Sequence, residues 1–393
     1  MGLESQLPVL TPEQQIVLAA VRVDHARDDL IRELLKGPID WDVLIKEAAA
    51  QGVFPLVYRR LTEMGDELLP PKEAGKLKRL YLVNAQRNYA GAQRLIAVLR
   101  HLGSYGIDAL PLKGPVVAVQ AYGDLALRQG SADLDILVRR DHLLRTREAL
   151  TQIGYSISPL EDKDQRRLRR LLESSFHWAF EDVSSHALLE VHWAIAYPWD
   201  LRLSIEAFWE HTQSLCLYEA SVNIQVLSTE DTCLLLCIIG ARDGWRSLRL
   251  LVDLAHLVSR LPLTDYQRLI NKSKELYVHN IICFGLTLAQ SALGADLIEV
   301  PDGQFLPTVE IRRLAERVEL GFFKPSFALD ESWTLSLELR DSIGQRIRRF
   351  MRPNPRDWAI VDLPDSLYPL YYLVRPIRLL LEYGLGRVRR SGA

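Results

Sequence analysis

The sequence predicts an α+β fold, a small sheet-bearing core set between N-terminal and C-terminal helical regions. Three observations predict it. Residues 1–105 carry apolar positions at helical spacing, residues 106–198 break into short apolar runs of strand length, and helix-capping signals return beyond residue 199. A chain of 393 residues exceeds the usual size of one core, so more than one subdomain is expected. The expected regions are 1–105, 106–198, 199–300 and an arginine-rich extension, 301–393.

Thr11-Pro12-Glu13-Gln14 opens the first helix, with threonine as cap, proline at the first helical position and glutamine three residues after the cap. This helix is expected to reach about residue 35. A second is expected over 41–64, interrupted near Gly52, and a third over 71–105. The third carries a broad apolar stripe that includes Leu77, Leu95 and Leu102, with the amides of Asn84 and Asn88 embedded in it.

The period changes at Gly106. Residues 107–112 read as a short strand closed by Lys113-Gly114, and a helix over 115–122 starts at that turn. Residues 123–130 read as a loop, 133–138 as a strand and 154–157 as another, with Asp141 capping a helix between them that reaches residue 153. The charged stretch 161–173 reads as a solvated helix or connector. Residues 176–180 and 187–193 form a hairpin whose turn is 182–186. Farther on, Ser228-Thr229-Glu230-Asp231 and Leu263-Thr264-Asp265-Tyr266-Gln267 are capping-box starts, opening helices near Glu230 and Asp265, and a further helix is expected over 245–261. No internal repeat or low-complexity tract interrupts this order.

Composition narrows the classes. Hydrophobic residues at 48% and charged residues at 25% are ordinary for a globular protein, and a net charge of -2 supplies no whole-protein basic field for nucleic acid. Cys216, Cys233, Cys237 and Cys283 show no C-x-x-C spacing, which argues against a disulfide framework or a zinc site and fits a cytoplasmic protein. Cys233 and Cys237 lie one turn apart in an apolar run and read as core. The start of the chain has neither a basic n-region nor an apolar h-region, and no apolar run reaches about 18 residues, so neither a signal peptide nor a spanning helix is expected. Between Arg340 and Ala393, eleven arginines stand against five acids, interleaved with Phe350, Trp358, Tyr368, Tyr371, Tyr372 and Tyr383. Such a segment suits an anionic partner or a membrane surface; the plainer alternative is an arginine-rich edge paired with acids elsewhere.

The chemistry centres on Asp133-Leu134-Asp135. Successive side chains on a strand alternate faces, so the two carboxylates share one. Like charges that close repel, and they normally sit together where a cation compensates them. Magnesium (Mg2+) is the first candidate, because it takes carboxylate oxygens and brings substrate phosphates with it, and manganese (Mn2+) is the second. Glu190 is the candidate third acid, since an adjacent antiparallel strand would set it beside the pair. His192 shares the face of Glu190. One histidine and one glutamate without further spaced ligands make a poor zinc site, so His192 reads as a substrate contact or a support for the acids.

Phosphates need donors. Lys113-Gly114 ends a strand and opens a helix, where free N–H groups favour anions and glycine lets them approach the backbone. Lys113 adds a point charge and Arg128 a bidentate one, and Gly130 and Ser131 offer backbone and hydroxyl contacts. Each has an ordinary alternative: Lys113 as a solvated strand end, Arg128 as a surface salt bridge. Trp178 and Trp193 either stack a base or fill the core.

Taken in order, Leu112-Lys113-Gly114, Tyr122-Gly123-Asp124, Leu127-Arg128, Asp133-Leu134-Asp135-Ile136-Leu137-Val138, Gly154-Tyr155 and Glu190-Val191-His192-Trp193 resemble the uncharacterised nucleotidyltransferase family of the DNA polymerase beta superfamily. Gly244-Trp245, Leu248 and Asp253 extend the likeness, which spans about residues 40–290. The resemblance implies a mixed sheet with flanking helices. It also implies magnesium-dependent transfer of a nucleoside monophosphate from a triphosphate, ATP first, to an unspecified small molecule, sugar, peptide or protein. By the family's motif Asp133, Asp135 and Glu190 are the metal ligands, with glutamate standing where aspartate is common. Catalysis of this class is mostly positioning and charge neutralisation. The alternative is a non-catalytic regulatory module that holds a nucleotide or a partner chain on the same fold.

Overall fold

The structure, a computed structural model, describes residues 10–65, 68–131, 133–157, 175–195, 205–217, 222–298, 307–324, 353, 357, 360–361 and 363–379. Its first helices are short because the chain is punctuated. α1 (Pro12–Ala20) opens on the capping box of Thr11 and Gln14 but ends well before residue 35. The break lies at Asp24, whose carboxylate takes the Arg22 guanidinium and the Ala26 amide, followed by His25 in a left-handed conformation (φ 54°). Helix resumes as α2 (Asp28–Leu34). α3 (Trp41–Ala50) and α4 (Phe54–Glu63) are split at Gly52 (φ 71°), as predicted, and α5 (Pro71–Ser104) is the long third helix.

β1 (Ala109–Pro111), β2 (Asp133–Val138), β3 (Tyr155–Ile157), β4 (His177–Asp182) and β5 (Leu188–His192) form a mixed sheet in the order β1-β2-β5-β4-β3. β2 and β5 run parallel, not antiparallel as expected, and the other neighbours are antiparallel. The direction follows from the route: β5 returns from β4 through a tight hairpin and slots in beside β2. α6 (Pro115–Tyr122) follows β1, and α7 (Leu143–Gln152) follows β2. Asp141 does not cap α7; it lies in a 3-10 turn, Arg140–His142, and the helix begins after it. The hairpin turn is tied by Asp182, which accepts from the amides of Ser184 and Ser185.

Alternation divides the sheet into two faces. Leu134, Ile136, Trp178, Phe180, Leu189 and Val191 pack with residues of α5 and α7 in one apolar cluster. Trp178 and Trp193 are 1% and 3% exposed and meet edge to face at 5.6 Å, so they fill the core and the base-stacking alternative falls. Asp133, Asp135, Glu190, His192, His177 and Ala179 have the opposite parity.

Beyond the sheet lies an antiparallel pair, β6 (Thr212–Cys216) and β7 (Asn223–Leu227), that sequence reasoning missed. β6 buries none of its side chains, so no apolar alternation marks it. α8 (Thr229–Asp243) is capped by Ser228 as predicted, and α9 (Leu248–Val258), α10 (Leu263–Glu275), α11 (His279–Leu293), α12 (Val309–Glu319) and α13 (Tyr371–Leu379) follow. Thr264 is not a cap: α10 starts behind Pro262, and the Thr264 hydroxyl turns to Asp265. A second apolar cluster joins Ile16, Leu44 and Val57 to Leu235, Leu251 and Phe284, so the N-terminal and C-terminal helices share a core. Cys233 and Cys237 lie inside it, where burial pushes both thiols well up and leaves them inert.

Among the described residues no helix is long and apolar enough to cross a membrane. The charged stretch 161–173 and most of the arginine-rich segment lie outside the described residues. Within that segment, buried Asp357 takes Arg378 at 2.6 Å and Arg375 at 3.2 Å, the acid-paired arrangement for those two arginines.

Candidate functional site

Strand parity and register assemble the acids. Asp133 and Asp135 share a face of β2, and the parallel pairing sets Asp135 against Glu190 and Leu137 against His192. Across β5, Ala179 opposes Glu190 and His177 opposes His192. Ala179 is small and exposed, which leaves the face beside Glu190 open to solvent.

His192 Nε2 lies 3.0 Å from Asp135 Oδ1 and 3.3 Å from Glu190 Oε2. One ligand atom from each of the three residues lies within 4.8 Å of the other two. His177 stacks on His192 with ring centres 5.2 Å apart and places Nε2 3.8 Å from Glu190 Oε1. Sequence reasoning missed His177. Its signal is hairpin arithmetic, because counting back through the turn from His192 lands on it.

The electrostatics keep the acids charged. Burial works to raise the pKa of Asp135, but the hydrogen bond to His192 and the Lys113 cation outweigh it and hold the carboxyl well below the usual range. The His192 hydrogen bond lowers Glu190 too, against the opposing effect of burial. His177 is pushed down to about 4 by burial and by neighbouring His192, so it is neutral at pH 7. Asp133 is half-buried, and its carboxylate has no partner among the described residues.

Lys113 Nζ reaches Asp135 Oδ1 at 2.7 Å, the same oxygen that His192 contacts. Beside it Gly114 adopts φ 66° ahead of α6, and no atom lies within 4 Å of where a Cβ would stand. Arg128 is 4% exposed, and its Nε donates to Asp253 Oδ2 at 2.8 Å. The Tyr122 hydroxyl donates to the other oxygen of Asp253 at 2.7 Å. Asp253, on α9, thus ties the helical region to the loop before β2, a role that the sequence does not reveal.

That loop is also held from α5. Asn84 Nδ2 donates to the carbonyls of Ala126 and Arg128, and Asn88 Nδ2 to those of Leu125 and Arg128. The Gly130 amide donates to Asn84 Oδ1 at 2.9 Å, and a Cβ at Gly130 would meet Asn88 Oδ1 at 2.7 Å. Gly130 is therefore a close-packing position whose amide is engaged. The exposed Ser131 donates its hydroxyl to the carbonyl of Asp133 at 3.0 Å.

The donor set fits a divalent ion: two ionised carboxylates and an imidazole converge, and the carboxylate of Asp133, without a partner among the described residues, stands on the same face of β2. A family model described as an uncharacterised nucleotidyltransferase matches residues 37–294. No curated protein matches the chain.

Proposed function

The chain belongs to the uncharacterised nucleotidyltransferase family, and on that premise we propose that it moves a nucleoside monophosphate from a triphosphate, ATP foremost, to an acceptor in a magnesium-dependent reaction. One observation carries this reading, the convergence of Asp135, Glu190 and His192 across the parallel β2–β5 seam. Asp133, Asp135 and Glu190 are the proposed ligands of Mg2+, with Mn2+ as substitute, and His192 steadies the last two. When bound, the ion neutralises phosphate charge and activates the attacking oxygen. Lys113 and Gly114 receive the triphosphate at the start of α6. Arg128, buried and ion-paired with Asp253, holds the loop that leads into β2, and Gly130 and Ser131 shape the approach.

The acceptor oxygen attacks the α-phosphorus, the bond to the β-phosphate oxygen breaks, pyrophosphate leaves with that electron pair, and the acceptor proton passes to water. Little else is required of the protein than to hold these groups in line. The test uses ATP labelled on the α- or the γ-phosphate, with Mg2+ and a lysate as the acceptor source. Label from the α position is expected on an acceptor, label from the γ position is not, and Asp135→Asn should lower transfer roughly a hundredfold to a thousandfold. Retention of γ label, or transfer unchanged in Asp135→Asn and Glu190→Gln, contradicts the reading. Nucleotide binding without any transfer would favour the regulatory module instead.

A further inference from the structure

α9 carries Arg249 and Asp253 one turn apart, a spacing at which opposite charges commonly pair. Here they do not. Both oxygens of Asp253 are engaged, one by the Tyr122 hydroxyl and one by Arg128, and Asp253 is fully buried. Among the described residues Arg249 pairs with no anion, and its buried Nε makes no hydrogen bond.

The side chain is nevertheless seated with care. The Arg249 amide donates to the Gln51 carbonyl at 3.1 Å and to Ser247 Oγ at 3.2 Å. Its stem lies against Gly52, where a Cβ would stand 3.0 Å from Arg249 Cβ and 3.2 Å from Cδ. The break between α3 and α4 thus leaves room for this stem, and Ser247 Oγ lies 3.4 Å from the same Cβ position. Asp253, one turn on from Arg249, holds Arg128, and Gln129 Nε2 donates to the Ala49 carbonyl at 2.9 Å, so the loop that leads into the acidic strand lies against the same helix break as Arg249. Burial and the nearby Arg128 cation disfavour its charge, while the fields of Asp253, Asp133 and Asp135 favour it.

A half-buried guanidinium with no anion among the described residues is costly unless an anion comes from elsewhere. The seam offers carboxylates for a divalent ion, and Arg249 offers a planar fork of donors nearby. A polyphosphate has oxygens for both. We propose that Arg249 binds the polyphosphate tail of the nucleotide beyond its α-phosphate, an inference that rests on the nucleotidyl-transfer reading above and names a residue of the helical region as part of the same site.

The test is equilibrium binding of ATP, AMP and inorganic tripolyphosphate, each with Mg2+, to the full-length wild type, Arg249→Gln and Arg249→Lys. Arg249→Gln should weaken ATP and tripolyphosphate roughly tenfold to a hundredfold and leave AMP within about twofold, and lysine should recover part of the loss. Equal tripolyphosphate affinity in wild type and Arg249→Gln overturns the inference and leaves the transfer reading standing. Loss of AMP affinity in the same proportion as ATP also overturns it, since the residue would then be structural. A wild type that binds neither ATP nor tripolyphosphate overturns both.

Discussion

Asp135 shows how much one residue's place depends on parity. Two positions along β2 set it on the open face with Asp133, and the register delivers Glu190 beside it. Parity is written in the sequence, so Asp133 with Asp135 and Glu190 with His192 were each legible as one face, while the parallel register that joins the two pairs was not. Arg249 was not, because on an amphipathic helix it reads as one more charged surface residue until the partners of Asp253 are known. His256, one turn beyond Val252 on α9, gives a test at this scale. Burial pushes it down to about 3, helped by Arg260, Arg59 and His25, and its ring meets Tyr122 edge-on at 4.9 Å. A folded-state pKa below the unfolded value of about 6.5 means that the unfolded chain takes the proton first. Stability from this group is therefore full above about pH 6.5 and declines as pH falls towards 3. His256→Phe keeps the edge contact and removes the titration, so its stability should drop less than that of wild type between pH 6.5 and 4.5, by at most about 1.4 kcal/mol per pH unit of that window. Denaturant melts at the two pH values check this, and parallel losses in both proteins would refute it.

At the scale of elements, pattern and capping located most helices and the hairpin, and long-range hydrogen bonds explain the remainder. The amides of Asn84 and Asn88 stand out in the stripe of α5, yet nothing nearby in sequence says what they face. They face the bare carbonyls of the loop before β2, whose 3-10 turn (Leu125–Leu127) leaves those groups unpaired. The parallel seam was equally hidden: the hairpin of β4 and β5 is visible, the strand it docks against is not. β6 was invisible for lack of buried side chains, and α1 ended early on the side-chain chemistry of Asp24, which competes with helix. Asn88→Leu should take from the Leu125 carbonyl its donor at 2.7 Å and leave the Arg128 carbonyl to Asn84 alone, at a cost of about 1–3 kcal/mol. Amide exchange over residues 125–130 should quicken ahead of the sheet. Unchanged protection there would mean that the loop holds without the clamp.

Over the whole molecule the site is a joint product of regions far apart in the chain. The sheet supplies the acids, the turn before α6 supplies Lys113, α5 clamps the loop, and α9 brings Asp253 and, in the proposal above, Arg249. The shared core of the N-terminal and C-terminal helices includes Leu248, Leu251 and Leu254 of α9, and the family match likewise takes in both the sheet and these helices. Packing between distant helices leaves no trace in local periodicity, so the core that they share was not legible in the sequence. The proposed transfer depends on a divalent ion held by carboxylates at the β2–β5 seam. Manganese binding, followed by electron paramagnetic resonance with and without a non-hydrolysable ATP analogue, tests that most directly. Wild type should bind Mn2+, the analogue should tighten it, and Asp135→Asn and Glu190→Gln should each weaken it at least about tenfold. Binding that is the same in all three proteins, with the analogue present, would contradict the account.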